Sequence, residues 1–433
     1  MSDSRLRGGH FNEDRQALAS RQSLEETQPV IGLRAIEVHP GDTRALNRMN
    51  WVYNIWIILL AIVVGGGTIY YLIAISSVRR FFRIHTLNSD LSDRYPPVSL
   101  LKPLSGLEPR LESNLESFFE QDYPVFEILM AVQEAKDPAA ELARGMMARY
   151  PEVSSQLLVV GESPYANAKV HGLEKMSQTA RNELRVITDS DVSVRPDYLK
   201  ALAKDFEIRE VGAVTSLYRG VAGREFWSKL EALGMSTEFM AGVIVAERLE
   251  GMKFMLGPSM AIRTDCLNAI GGFSILADYL ADDFVLGEKV SNAGFKVSLS
   301  PFVIDHHAYS MGFLHSFKHR LRWNRSARFS RPIGYLGQGF TYGLPWALVL
   351  FLSDSSHWTA MVAGAVLTLR LSLAWLLGSK GLKDPEVARN LWLVPVQDVL
   401  SFLTWVGGFL GREIVWRNRR YRLLEGGRFT RIE

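Results

Sequence analysis

An α/β domain with a mixed, mostly parallel sheet and flanking helices, tied to membrane helices at both ends, is the architecture this sequence predicts. Three observations carry that prediction. Strand-like apolar runs alternate with helical stretches between about Tyr95 and Pro332, the pattern of βαβ units. Long apolar runs flank that region, and their lengths match a hydrocarbon core of about 30 Å. Acidic residues stand just past strand ends, where ligands bind in open α/β sheets.

The 433 residues leave room for one large domain with added elements, or for two domains. A formal net charge of +3 is too small to argue for a nucleic-acid partner, and no basic stripe interleaved with aromatics supports one. Cys266 is the only cysteine, which excludes an intramolecular disulfide and a cysteine-based metal site. Residues 1–50 have near-balanced charge and few apolar runs, and read as a flexible extension.

Residues 51–78 form the first apolar run, broken only by Asn54 and a few hydroxyls, with Trp51, Tyr53, Tyr70 and Tyr71 suited to interfacial anchoring. The long polar stretch before it argues against a cleaved signal peptide. Gly65-Gly66-Gly67 inside the run predicts close helix packing and not a phosphate loop. Near the other end, His357–Leu377 and Leu391–Gly411 are each of span length, while Phe340–Leu352 is shorter and fits a re-entrant or interfacial element. Residues 336–411 therefore read as a C-terminal membrane region. Arg370 and Asp398 lie inside it, where a charge is costly and faces protein or water. Arg412, Arg417, Arg419, Arg420 and Arg422 mark residues 412–433 as a basic cytosolic tail, and Arg79, Arg80 and Arg83 place the central region on the same side. Arg34, Arg44 and Arg48 pull the other way, and Lys380, Lys383 and Arg389 dilute the signal.

Within residues 95–335, Val98–Leu101 is a short strand that stops at Lys102-Pro103. Leu107, Leu111, Leu115, Phe118 and Phe119 then recur at helical spacing. Glu127–Val132, Gln156–Val160 and Leu184–Thr188 are further strands. Asp137 and Asp189 fall beyond the second and fourth.

Asp189-Ser190-Asp191 is the sharpest local feature. Carboxylates one residue apart at a strand end can grip a hard divalent cation. The same tripeptide also suits an ordinary solvated turn. Asp282 and Asp283 precede amphipathic sequence and so open a helix. They could simply cap it, or Asp283 could take a proton from a substrate hydroxyl. The basic stretch from His315 to Arg331 surrounds Trp323. It reads either as a membrane-surface helix or as a place where Arg322 and Trp323 meet a diphosphate and an acceptor. His306-His307 is a poor shared metal site, because adjacent strand residues face opposite ways.

Taken in order, Asp137, Asp189-Ser190-Asp191, Asp283 and Arg322-Trp323 resemble the D, DxD, D, (Q/R)xxRW series of inverting GT-A glycosyltransferases of the family 2/21 type. Longer pieces are similar to the ceramide glucosyltransferase family: Val98–Leu104, Asn114-Leu115-Glu116 with Phe118-Phe119-Glu120, Gln121–Pro124, Val132-Gln133 with Asp137-Pro138-Ala139, and Arg420–Leu423. The resemblance implies a GT-A fold and places Asp137 at the uracil or ribose. It gives Asp189 and Asp191 the task of holding Mg²⁺ or Mn²⁺ on the diphosphate, with Asp283 as general base. Asn167 and Lys169 look like the nucleotide-side loop of that family, and Lys102 and Asp282 join them as expected substrate contacts. The family pattern expects Gln or Arg where this chain has His319; Arg320, one place later, is a possible substitute.

The activity so implied is transfer of a hexose, glucose above all, from a UDP-sugar to a ceramide-like lipid hydroxyl at the bilayer. The expected location is a multi-pass membrane protein with a cytosolic catalytic domain, in a bacterial inner membrane or, in a eukaryote, the Golgi. A hopanoid-biosynthesis N-acetylglucosaminyltransferase is the nearest alternative, supported by Leu217–Gly220 and Arg195–Leu199. A processive polysaccharide synthase and a non-catalytic membrane scaffold stand further off.

Overall fold

The computed structural model describes residues 40–87, 94–416 and 419–432. Packing divides the chain at Trp56/Ile57, and the account below concerns residues 57–433. The expected extension at 1–39 lies outside the described residues. The first helix runs Pro40–Leu87, and its apolar stretch covers Asn50–His85. It is therefore longer than residues 51–78, and Arg79, Arg80 and Arg83 belong to it instead of following it. No helix-breaking residue interrupts the sequence there, so the backbone ladder continues past the apolar run.

The central sheet has eight strands: β1 (Val98–Pro103), β2 (Phe126–Val132), β3 (Ser154–Val159), β4 (Leu184–Ile187), β5 (Val192–Ser193), β6 (Val211–Ala222), β7 (Met260–Arg263) and β8 (Lys296–Ala308). Their order is β3-β2-β1-β4-β7-β6-β8-β5. β1 pairs in parallel with β2 and β4, β2 with β3, and β6 with β8. β7 runs antiparallel between β4 and β6, and the short β5 antiparallel beside β8. The carboxyl ends of β1, β2, β4, β6 and β8 and the amino end of β7 thus share one edge, which carries the site.

Mostly apolar runs in β1, β2 and β4, interrupted by Ser99, Lys102, Glu127 and Arg185, reflect burial on both faces. Val98, Leu100, Leu101, Ile128, Leu129, Met130, Val186 and Ile187 are buried, each worth about 1.5–3 kcal/mol against exposure. The helix Leu111–Phe119 covers one face through Leu111, Leu115, Phe118 and Phe119, as its spacing predicts.

Among the described residues, three helices are long and apolar enough to cross a membrane: Asn50–His85, His357–Gly381 and Leu391–Gly408. A shorter apolar helix, Gly343–Ser353, precedes the last two. Gly67 lies in backbone contact with Gly343 and Gly66 faces the Phe340 ring, while nothing approaches Gly65, so two of the three glycines serve close packing. Arg370 and Asp398 face each other, bidentate at 2.8 Å and 2.8 Å, and are 2% and 3% exposed. Removing one partner of a buried pair leaves an uncompensated charge. Asp398→Ala is expected to destabilise the detergent-solubilised protein by about 3–5 kcal/mol, whereas joint replacement of Arg370 and Asp398 by Met should cost far less. Thermal unfolding of both variants checks this; equal losses would show that the strandedness of the charge does not matter.

Within the expected basic tail, Glu413–Trp416 (β9), Arg419–Leu423 (β10) and Phe429–Arg431 (β11) form an antiparallel three-stranded sheet. Ile414, Tyr421, Leu423 and Phe429 bury an apolar face with Leu280, and that burial offsets the charge the tail carries. The basic helix Phe313–Ser330, for which a membrane surface and a substrate contact were both expected, also packs on the C-terminal region. Arg320 donates to Gln397 Oε1 (2.7 Å), Arg325 to Leu410 O (3.0 Å) and Glu413 O (2.5 Å), and Arg328 to Gly411 O (2.9 Å). Its guanidinium groups hold the Val394–Gly408 helix and the carbonyls beyond it, where cations oppose the negative helix end.

Candidate active site

The Asp189-Ser190-Asp191 link between β4 and β5 is held from every side. The Lys102 ammonium donates to Thr188 Oγ1 (2.9 Å) and Asp189 O (2.7 Å), and sits 3.9 Å over the Phe118 ring. Asn114 Nδ2 donates to Ser190 O (3.0 Å), and Ser190 Oγ to Glu108 Oε2 (2.6 Å). His307 N donates to Asp191 O (2.9 Å), and His306 Nε2 meets Asp191 Oδ2 at 3.2 Å. A solvated turn needs none of this. Lys102, expected as a substrate contact, is 0% exposed and holds the acidic turn from behind. Burial pushes its ammonium down to about 7 against the pull of Asp189 and Asp191.

Lys169 is the hub. Its ammonium lies 2.8 Å from Asp189 Oδ1 and 3.2 Å from Asp282 Oδ2. Burial opposes its charge, but Asp189 and Asp282 outweigh that and hold it above the usual lysine range. Asn167 caps the helix Ala168–Thr179 by accepting from Lys169 N (3.1 Å), and its amide donates to Tyr279 O (2.9 Å). Asn167, fully buried, positions Lys169. Asp282, 7% exposed, is the second anionic partner of Lys169.

Asp283 opens the helix Asp282–Asn292. Its Oδ2 accepts from Gly257 N (2.8 Å) and its Oδ1 from Phe284 N (2.8 Å). Burial, with the neighbouring Asp282 charge, pushes its carboxyl up to about 6. A methyl group on Gly257 would lie 3.2 Å from both Asp189 Oδ2 and Asp283 Oδ2. The acidic turn and the Asp283 carboxylate therefore open onto the same small space, with Gly257 as its floor.

For a divalent cation the donor chemistry fits. Asp191 Oδ1 is buried with no hydrogen-bond partner, and an orphaned carboxylate oxygen is what a hard cation satisfies. Burial raises Asp191, yet His306 beside it more than compensates and keeps the carboxyl ionised and low. Among the described residues no group of three or more His, Cys, Asp or Glu side chains is placed to hold a metal. His306 and His307 do not share a site: His307 Nε2 instead meets Ser193 Oγ at 2.8 Å.

Asp137 caps the helix Pro138–Arg149 through Ala139 N (2.9 Å) and also accepts from Gly106 N (2.9 Å). Gly106 is at φ +68, so the loop after β1 is pinned at Gly106 by Asp137 and at Glu108 by Ser190. On the other flank, the helix Phe313–Ser330 carries Arg322 and Trp323. His319 Nδ1 meets Glu231 Oε1 at 2.6 Å, and the His319 ring lies 4.6 Å from Trp323. Burial opposes ionisation of Glu231, but His319 holds its carboxyl down to about 2. His319 thus supports Trp323 at the position where the family pattern has Gln or Arg. Arg320 does not replace it, being buried against Gln397 and Ser401.

Sequence reasoning missed Gly257, Glu108, Glu231 and the grip of His306 on Asp191. Only Gly257-Pro258 carried a local signal, as a turn dipeptide. The others become visible only when strands distant in sequence are paired.

The chain matches the sequence model of Glycosyl transferase family 21 over residues 58–429. It is 25% identical over 359 residues to ceramide glucosyltransferase 1 of Caenorhabditis elegans, covering 80% of this chain and 76% of that one. A shorter match, 35% over 102 residues, joins it to the ceramide glucosyltransferase of Komagataella phaffii, covering 22% and 20%. Among solved structures it is similar to a Pyrobaculum calidifontis mannosyltransferase in complex with GDP-Man and Mn²⁺, at 19% identity and a TM-score of 0.48, over 81% of this chain and 99% of that one.

Proposed function

Since the chain belongs to glycosyl transferase family 21 and is a glycosyltransferase, we propose that it moves a hexose, glucose first of all, from a UDP-sugar to a hydroxyl of a membrane lipid such as ceramide. The observation that carries this reading is the convergence of Asp189 and Asp283 on the Gly257 floor. One carboxylate stands where a diphosphate is gripped and the other where a hydroxyl is deprotonated.

Single displacement with inversion needs no second catalytic carboxylate. The acceptor oxygen attacks the anomeric carbon, its proton passes to Asp283, and the bond to the diphosphate breaks with its electron pair leaving on UDP. Asp189 and Asp191 would hold Mg²⁺ or Mn²⁺, whose charge offsets that developing on the departing diphosphate. Lys169, kept cationic by Asp189 and Asp282, adds fixed positive charge at the same place. Arg322 and Trp323 would face the diphosphate and the acceptor. Ceramide is the acceptor in the names of the Caenorhabditis and Komagataella relatives, and candidate spans on both sides of the catalytic domain suit an acceptor whose tail stays in the bilayer. The cytosolic face remains the proposed side.

Membrane preparations supplied with lipid extract and labelled UDP-glucose or UDP-N-acetylglucosamine test the reading. A glucosylated sphingolipid supports it; a labelled hopanoid from UDP-N-acetylglucosamine alone would replace it with the alternative. The pH profile follows from Asp283. A base must be unprotonated, so with its carboxyl raised to about 6, transfer should fall as pH drops through about 6. A rate flat from pH 7 to pH 5 would remove Asp283 from this role.

A further inference from the structure

The C-terminal sheet touches the catalytic machinery at two points, and both contacts are to backbone. On one side, Phe429 N at the start of β11 donates to Asp278 O (2.8 Å), and Tyr279 pairs with Arg428 in an antiparallel bridge. On the other, Arg325 and Arg328 of the Phe313–Ser330 helix bind the carbonyls of Leu410, Gly411 and Glu413 leading into β9. The apolar face of the sheet includes Leu280 from the loop and has Phe329 of the helix packed against it.

The loop so held is the one that carries the base. Ala277 O accepts from Asn167 N (2.9 Å), Asp278 O from Phe429 N, and Tyr279 O from Asn167 Nδ2 (2.9 Å). Three successive carbonyls are therefore clamped alternately by the residue that aims Lys169 and by the last strand of the chain. Leu280 follows, anchored in the sheet, and Asp283 stands three residues on. A sheet that only stabilised the domain could pack against any apolar face. This one ties the base loop to the helix of Arg322 and Trp323 and fixes their separation.

We propose that β9–β11 form a positioning element that sets Asp283 against the donor site, with Phe429 as its central residue. The inference rests on Asp283 being the base. A misplacement of about 1 Å at a reacting group can cost about a hundredfold in rate. Phe429→Ala in the full chain is expected to lower kcat about tenfold per UDP-binding site, the active fraction being counted by calorimetry with UDP and Mn²⁺, with KM for the UDP-sugar unchanged. Phe429→Leu should restore most of the rate.

A double-mutant cycle separates positioning from mere stability. In an Asp283→Asn background, Phe429→Ala should cost nothing further. The same fractional loss in both backgrounds, or no loss per UDP-binding site, would overturn the proposal. If Phe429→Ala fails to bind UDP, Phe429→Val, which still removes the ring, is put through the same cycle and judged by the same two results. An Asp283→Asn chain with the wild-type rate would defeat the base assignment itself, and this inference with it; that result appears without any change at Phe429.

Discussion

Asp283→Asn is expected to lower sugar transfer by about a thousandfold while leaving UDP affinity in Mn²⁺ within about twofold of wild type. In the proposed mechanism this carboxylate takes the acceptor's proton. Its two oxygens accept one backbone hydrogen bond each, from Gly257 N and Phe284 N, and burial keeps it near neutrality, at about 6, where a base works best. Asparagine keeps the size but cannot take a proton. It also turns one acceptor into a donor facing an N–H group, a mismatch of about 1–3 kcal/mol. A control must therefore separate lost chemistry from lost structure. Asp283→Glu keeps the base and moves it, so it should recover part of the rate, while Asp283→Asn should not. Transfer by Asp283→Asn at the wild-type rate would sink the assignment.

The first half of the sheet was legible because its strands are buried on both faces and read as mostly apolar runs. Val98–Leu101, Glu127–Val132 and Leu184–Thr188 lie within a residue or two of the observed bounds. The second half was not. β6, β7 and β8 pair across long separations, and their apolar residues do not alternate cleanly, since one sheet mixes parallel and antiparallel neighbours. The C-terminal sheet was hidden for a different reason. Arg417, Arg419, Arg420 and Arg422 advertise solvent, yet Tyr421 and Leu423 between them point to a private core with Leu280. Period-two alternation was present over 419–423, but the charge count obscured it.

At the site, the sequence named most of the residues but not the partners that hold them. Lys102, Asn167 and Asp282 belong to the network around Asp189 and Lys169. A motif identifies which side chains gather. It does not say which of them face the ligand, because that depends on partners such as Thr188, Tyr279 and Lys169 that no local pattern specifies. The departure at His319 shows the same limit: its partner Glu231 lies 88 residues away in sequence.

Asp189→Ala is the second substitution with a large expected effect, and its signature separates metal loss from damage to the fold. Asp189 has two tasks. Its Oδ1 neutralises Lys169 at 2.8 Å, and its Oδ2 borders the Gly257 space, where with Asp191 it would hold the cation. Removing it should lower kcat/KM by about a thousandfold or more, because a grip on the leaving diphosphate is lost. UDP binding should respond in two opposite ways. The gain in affinity on adding Mn²⁺ should vanish. Affinity without metal should hold or rise, since Lys169 keeps only Asp282 at 3.2 Å as an anionic partner and presents more net positive charge to the diphosphate. Unfolding cannot raise affinity, so the pair of signs is diagnostic. Calorimetry of wild type and variant, each with and without Mn²⁺, reads both. A metal-dependent gain that survives in Asp189→Ala would take the cation away from this carboxylate.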